Sequence, residues 1–170
     1  MKAFAVILAL TLVVFGVLHL RIKPASRKGK LRNADIKDSS YWAMLFVFAL
    51  VVSAMAAELI VTNPGVNATP WMWAGRITVV LAAVWTIWTR KVLGGNYSPT
   101  ARNLDPGQTL IKSGPYRLMK HPMYLGNVLT VAGLFMAFDL TYSWLAMPLF
   151  LAAILWRVAL ENRFLQQKFN

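Results

Sequence analysis

The residues with the most chemical potential in this 170-residue sequence lie at 114–127, GPYRLMKHPMYLGN. There Tyr116, Arg117, Lys120, His121 and Tyr124 are interleaved with Gly114, Pro115, Pro122 and Gly126. Such a set suits an anionic or zwitterionic ligand. Backbone N–H groups and the dipole at a helix start favour a carboxylate or phosphate. Tyrosine faces pack against a ring or a cation. A second pair, Arg157 and Glu161, is four positions apart and would share one helix face. Taken alone, that pair reads as a surface ion pair contributing roughly 0.2–0.5 kcal/mol. The chemistry of the whole set points to a cytoplasm-facing pocket for a cofactor. The same residues would also make a basic re-entrant anchor, with Pro122 in the first turn of a helix.

Other chemistries are excluded by inventory. The chain has no cysteine, so it holds no disulfide, thiolate nucleophile or zinc–thiolate site. Its two histidines, His19 and His121, are too few for a His-rich metal site or a bis-histidine haem. No metal is expected.

The elements that must position these residues are written in the apolar runs. The chain is 58% hydrophobic and only 14% charged, where soluble domains carry roughly 25% charged residues. Segments 3–20, 41–62, 71–89, 123–138 and 143–160 are almost uncharged, interrupted only by Glu58, Arg76 and Arg157. The first nearly crosses a hydrocarbon layer of ~30 Å at ~1.5 Å per residue. The expectation is an all-α polytopic membrane protein of about five transmembrane helices. The last two form a tight hairpin, with a kink at Pro148. Aromatic residues at the run ends, Tyr41 and Trp42, Trp71 and Trp73, Trp85 and Trp88, Tyr142 and Trp144, match the interfacial preference of amphipathic rings. The first run exceeds a signal-peptide core and lacks an Ala-x-Ala site, so a retained helix is expected.

Charge follows the connections. The net charge is +12, and 18 Lys and Arg face 6 Asp and Glu. Connection 21–40 holds seven basic residues, and connection 90–122 holds six: Arg90, Lys91, Arg102, Lys112, Arg117 and Lys120. Connections 63–70 and 139–142 hold none. The positive-inside rule then places both basic connections and the C-terminus in the cytoplasm and the N-terminus outside. An integral protein of a prokaryotic cytoplasmic membrane is expected, with the lipid bilayer as its partner and no obligate protein partner. Basic residues on one face attract anionic headgroups at about 1 kcal/mol each. No zinc finger, helix-turn-helix or stacking-sheet pattern interrupts the apolar runs, and no nucleic acid is expected as a partner.

Glu58 and Arg76 lie inside apolar runs at matching depth, so each needs a partner or a route to the interface. Pairing with each other is one solution. Connection 90–122 is far longer than the usual four to six residues. It carries Gly94, Gly95, Gly107 and Gly114 with Pro99, Pro106 and Pro115, a composition for turns rather than one helix.

The run G-P-Y-R-x-x-K-H-P-x-Y-x-G at 114–126 resembles the signature of the isoprenylcysteine carboxyl methyltransferase family and its phospholipid methyltransferase relatives. G-G-N-Y-S at 94–98 and L-x-x-S-G-P-Y from Leu110 fit upstream. Downstream, R-x-x-x-E-N at 157–162, with Leu165 and Phe169, is similar to the family's closing Arg-x-x-x-Glu-Glu helix. Lys120 stands where the usual form has Arg, and Asn162 stands in place of the second Glu. The resemblance covers roughly 75–170. It implies one transmembrane methyltransferase domain over 1–170, with N-terminal helices in 1–74 and the catalytic core in 75–170.

The resemblance further implies an integral membrane enzyme that uses S-adenosylmethionine on the cytoplasmic side and a lipophilic acceptor arriving from the bilayer. Gly114, Pro115, Tyr116, Arg117, His121, Pro122, Tyr124 and Gly126 would frame the cofactor. Glu161 would be a further cofactor contact, suited to ribose hydroxyls. Arg157 would bind the polar group of the acceptor or hold Glu161 in place. The reaction would be an in-line displacement at the methyl carbon, aided chiefly by alignment of the two partners. The acceptor would be a lipid amphiphile with an isoprenylcysteine-like carboxylate or a phospholipid amine. No residue is assigned as a general base. The competing readings are an NADPH-dependent sterol-type membrane reductase and a non-enzymatic membrane scaffold. The reductases usually show Trp-Trp-Gly before their Arg-His, where this chain has Gly114, Pro115 and Tyr116.

Overall fold

Four of the five expected crossings are helices in the computed structural model, which describes residues 39–62, 69–94 and 111–169. The first apolar run, the basic connection after it and the G-G-N-Y-S motif beyond Gly94 lie outside the described residues. The described chain forms α1 (Ser39–Thr62), α2 (Pro70–Leu93), α3 (Pro115–Leu118), α4 (Pro122–Ala137), a 3-10 turn (Tyr142–Ala146) and α5 (Met147–Phe169). The fold is all-α, and no strand occurs among the described residues.

Among the described residues, three helices are long and apolar enough to cross a membrane: Trp42–Thr62, Pro70–Leu93 and Tyr142–Gln166. The fourth, α4, is shorter at 16 residues because both ends are fixed locally. Pro122 starts it, where a missing N–H costs nothing. A left-handed residue, Asp139 at φ 53°, ends it. The Leu140 N–H donates to the Phe135 carbonyl at 2.8 Å and the Asp139 N–H to the Met136 carbonyl at 3.1 Å, the paired bonds of a Schellman motif. The start of α2 is equally local. Pro70 opens the helix, and the Thr69 hydroxyl accepts from the Met72 N–H at 3.3 Å.

Pro148, where a kink in the second arm of the hairpin is expected, lies at a change of helix type. It is the second residue of α5, at the junction with the 3-10 turn. Proline is well tolerated in the first turn of an α-helix, where its fixed φ suits the helical backbone.

The helices pack as two antiparallel pairs sharing a core. On α1, Val47, Val51, Met55 and Glu58 recur at helical spacing on one buried face. With Val131 and Phe135 of α4, and Phe150 and Ile154 of α5, that face builds the core. Phe135 and Trp144 meet edge to face at 5.3 Å between centroids. The α2–α4 contact relies on small residues instead. A Cβ on Gly75 would overlap the backbone of Ala137, and one on Gly126 would overlap the Thr86 hydroxyl. The opposite face of α2, with Ile77, Val80, Leu81, Val84 and Ile87, is exposed. Apolar surface of that extent on a spanning helix belongs against lipid.

Glu58 and Arg76 do not pair. Glu58 accepts from the backbone N–H groups of Thr141, Tyr142 and Ser143 and from the Ser143 hydroxyl, at 2.5 to 2.9 Å. Arg76 instead lies over the Trp73 ring, 4.7 Å from its centroid. The physical reason is that three free N–H groups at a helix start offer a carboxylate more than one half-buried guanidinium does.

Candidate functional site

The site forms where the start of α4 meets the last turns of α5. His121 occupies the N-cap position of α4 but makes no side-chain cap. Its ring turns toward α5 instead. Nε2 of His121 lies 2.9 Å from the Asn162 Oδ1, and Nδ1 lies 3.5 Å from the Glu161 Oε2. One turn further, the Tyr124 hydroxyl donates to the same Glu161 oxygen at 3.0 Å. The Arg157 Nε–H in turn donates to the Tyr124 hydroxyl at 3.1 Å. The result is one connected path, Arg157 to Tyr124 to Glu161 to His121 to Asn162, across residues 33 to 41 positions apart in sequence.

Exposure grades along this path. Arg157 is buried at 5%. The His121 side chain is 13% exposed and the Glu161 side chain 32%. The carboxylate therefore sits at the mouth of the cluster, with a buried cation behind it and an imidazole beside it. Buried polar groups of this kind are stable only when their bonds are satisfied. Partial exposure at Glu161 lets an arriving ligand bond there without first breaking a dry interior.

Each expected site residue has a definite place. His121, Tyr124, Arg157 and Glu161 come together. Pro115 is buried and Tyr116 half-buried in the single turn of α3, while Arg117 is exposed beside the cluster's end of the molecule. Gly114 precedes that turn at φ 56°, where side chains are rarely tolerated, and a Cβ there would meet Val92 at 3.0 Å. Pro122 and Gly126 face α2. The Pro122 carbonyl accepts from the Trp85 indole at 2.8 Å, and Gly126 admits Thr86. Their contribution is to set the angle at which α4 presents His121 and Tyr124.

Two participants go beyond the expected site residues. Asn162, which breaks the expected Glu-Glu pattern, bonds His121 directly. Ser40, at the start of α1, accepts from the Arg157 NH1 at 2.9 Å and is itself 1% exposed. The i to i+4 spacing of Arg157 and Glu161 suggested a surface pair. Arg157 is instead interior and reaches the carboxylate through Tyr124.

Comparison with known proteins agrees with this architecture. Residues 70–170 match the family described as phospholipid methyltransferase. A curated relative from Bacillus subtilis (strain 168), the uncharacterized protein YpbQ, is 27% identical over 135 residues, covering 78% of each chain. No solved structure matches. The family match favours methyl transfer over the reductase and scaffold readings.

Proposed function

Because this chain belongs to the phospholipid methyltransferase family, whose members are membrane methyltransferases, we propose that it moves a methyl group from S-adenosylmethionine to a lipophilic acceptor. The observation that carries the reading is the convergence of His121, Tyr124, Arg157, Glu161 and Asn162 at one end of the bundle. The donor set fits the cofactor's chemistry. Glu161 offers a partly exposed carboxylate for ribose hydroxyls or an ammonium. Arg117 and Lys120 are exposed cations for a carboxylate, and the Tyr124 ring tilts at 44° to that of His121, 5.8 Å away.

When bound, the cofactor supplies an electrophilic methyl group. The chain's own residues bind and orient. Arg157 holds the Tyr124 hydroxyl, and Tyr124 holds Glu161 toward the opening. Asn162 fixes the His121 ring so that its other nitrogen faces the same carboxylate. Preorganisation of this kind removes orientational freedom before reaction and aligns the two substrates. The acceptor is a lipid amphiphile carrying an amine or a carboxylate, with its tail against the apolar helix faces. The cofactor-facing end and the C-terminus lie in the cytoplasm.

The test is binding to purified protein in lipid nanodiscs, comparing S-adenosylhomocysteine with NADPH, followed by transfer of labelled methyl to a lipid extract. Binding of S-adenosylhomocysteine is expected, and binding of NADPH alone would overturn the reading. His121→Ala and Glu161→Ala should each weaken binding roughly 10- to 100-fold, the equivalent of about 1.5–3 kcal/mol for a charge-assisted bond. Unchanged affinity in both variants would reject these residue assignments.

A further inference from the structure

We propose that Ser40 is a positioning residue of the site, so that α1, which lies wholly outside the matched span 70–170, completes the cofactor-binding machinery. The inference rests on the proposed function above and adds a component that the family match does not cover.

The argument begins with the arginine. A guanidinium is planar, and its donors point in fixed directions. Arg157 is buried, so the direction of each donor is set by the groups around it rather than by water. Its NH1 is aimed at the Ser40 hydroxyl, and its Nε at the Tyr124 hydroxyl. These two bonds fix two points of one rigid plane. Tyr124 then hands the orientation to Glu161 through its own hydroxyl. Ser40 therefore stands three bonds from the carboxylate, on a different helix, and is one of the groups that set the angle of the first member of the relay.

The placement of α1 makes this control effective. Ser40 and Glu58 are eighteen positions apart on α1, or ~27 Å at 1.5 Å per residue. Glu58 binds the start of the α5 hairpin through Thr141, Tyr142 and Ser143, and Ser40 binds Arg157 far along α5. Thus α1 is fastened to α5 at both ends. The lower fastening is the one that touches the site. Serine is small enough to be buried at 1% exposure and still accept a bond without crowding the guanidinium.

The test compares Ser40→Ala, Ser40→Thr and Arg157→Lys with the unaltered full chain in nanodiscs, reading S-adenosylhomocysteine affinity and thermal midpoint. Ser40→Ala should weaken affinity about 5- to 20-fold, together with a moderate midpoint fall because the buried guanidinium loses an acceptor. Ser40→Thr, which keeps the hydroxyl, should restore most of it. Arg157→Lys, a point donor that cannot hold two directions at once, should match the Ser40→Ala loss. A cycle with Tyr124→Phe supplies the decisive reading. Once Tyr124 is phenylalanine, Ser40→Ala should have little further effect, because its route to Glu161 is already cut. Full additivity, or unaltered affinity in Ser40→Ala while Glu161→Ala loses binding, would overturn the proposal and leave the proposed function standing. Absence of binding by the unaltered chain would instead count against the proposed function itself. If Ser40→Ala does not fold, Ser40→Cys, which keeps the size but weakens the acceptor, and its cycle with Tyr124→Phe carry the same decision.

Discussion

Two polar clusters sit at opposite ends of the α1–α5 pair, and they are made of different materials. At one end Glu58 meets three backbone N–H groups and one hydroxyl. At the other, Arg157, Tyr124, Glu161, His121 and Asn162 meet one another through side chains. Backbone donors cannot rotate away. A carboxylate held by three of them is a fixed part of the fold, and it caps the 3-10 turn leading into α5 from a neighbouring helix. Side-chain donors can exchange partners. The second cluster is also partly open at Glu161, whereas Glu58 is buried at 7% exposure. The comparison teaches that burial and charge alone do not mark a site. What separates the two is whether the partners can be replaced by a ligand.

The largest effect should come from breaking the fixed end. Glu58→Ala leaves the buried N–H and hydroxyl of Ser143, and the part-buried N–H groups of Thr141 and Tyr142, without their acceptor. Each unsatisfied buried group costs roughly 1–3 kcal/mol, and about 3–5 kcal/mol in total is expected after local relaxation. Thermal unfolding in nanodiscs should show a large fall in midpoint. The fraction that remains folded should bind S-adenosylhomocysteine with unaltered affinity. A large affinity loss in that folded fraction would erase the distinction between the two ends.

A smaller effect, of opposite character, is expected at the other end. Tyr124→Phe removes one hydroxyl that both accepts from Arg157 and donates to Glu161. The ring and its packing remain, but the buried Arg157 Nε–H loses its acceptor, so the midpoint should fall, though by less than in Glu58→Ala. Affinity for S-adenosylhomocysteine should fall about 5- to 10-fold, the equivalent of roughly 1–1.5 kcal/mol. Titration calorimetry beside thermal melts separates the outcomes. A variant that melts early but binds normally would make this cluster structural, like Glu58.

Much of this arrangement is legible in sequence because it is carried by residue type. Long apolar runs give α1, α2 and α5. The 114–126 and 157–162 motifs bring His121, Tyr124 and Glu161 to attention, and the helices then bring them together. What escapes is everything whose partner has no side-chain signature. Glu58 looked for a cation, and Arg76 was available at the same depth. Its actual partners are the N–H groups of Thr141, Tyr142 and Ser143, 83 to 85 positions away, which any residue types would supply. Ser40 escapes for a related reason, since a serine at the edge of a polar stretch resembles any helix cap.

The smallest effect lies in the turn that Glu58 holds. Asp139 adopts φ 53° at the end of α4, a conformation that glycine enters without strain and that L-residues resist. Its side chain is exposed, so replacing it removes little packing. Asp139→Gly should therefore stabilise the protein by about 0.5–1 kcal/mol, read as a rise of a few degrees in thermal midpoint with ligand affinity unaltered. Asp139→Ala should lower it, because aspartate tolerates the left-handed region better than alanine does. The gain also depends on the fixed end. The strain at Asp139 exists only while the turn keeps its shape, and Glu58 keeps that shape by binding Thr141, Tyr142 and Ser143. In a Glu58→Ala background the turn is released, and the benefit of Asp139→Gly should shrink toward zero. Equal gains in both backgrounds would mean that the Schellman bonds hold the turn without Glu58, and the carboxylate would then fasten α1 to α5 without shaping the hairpin.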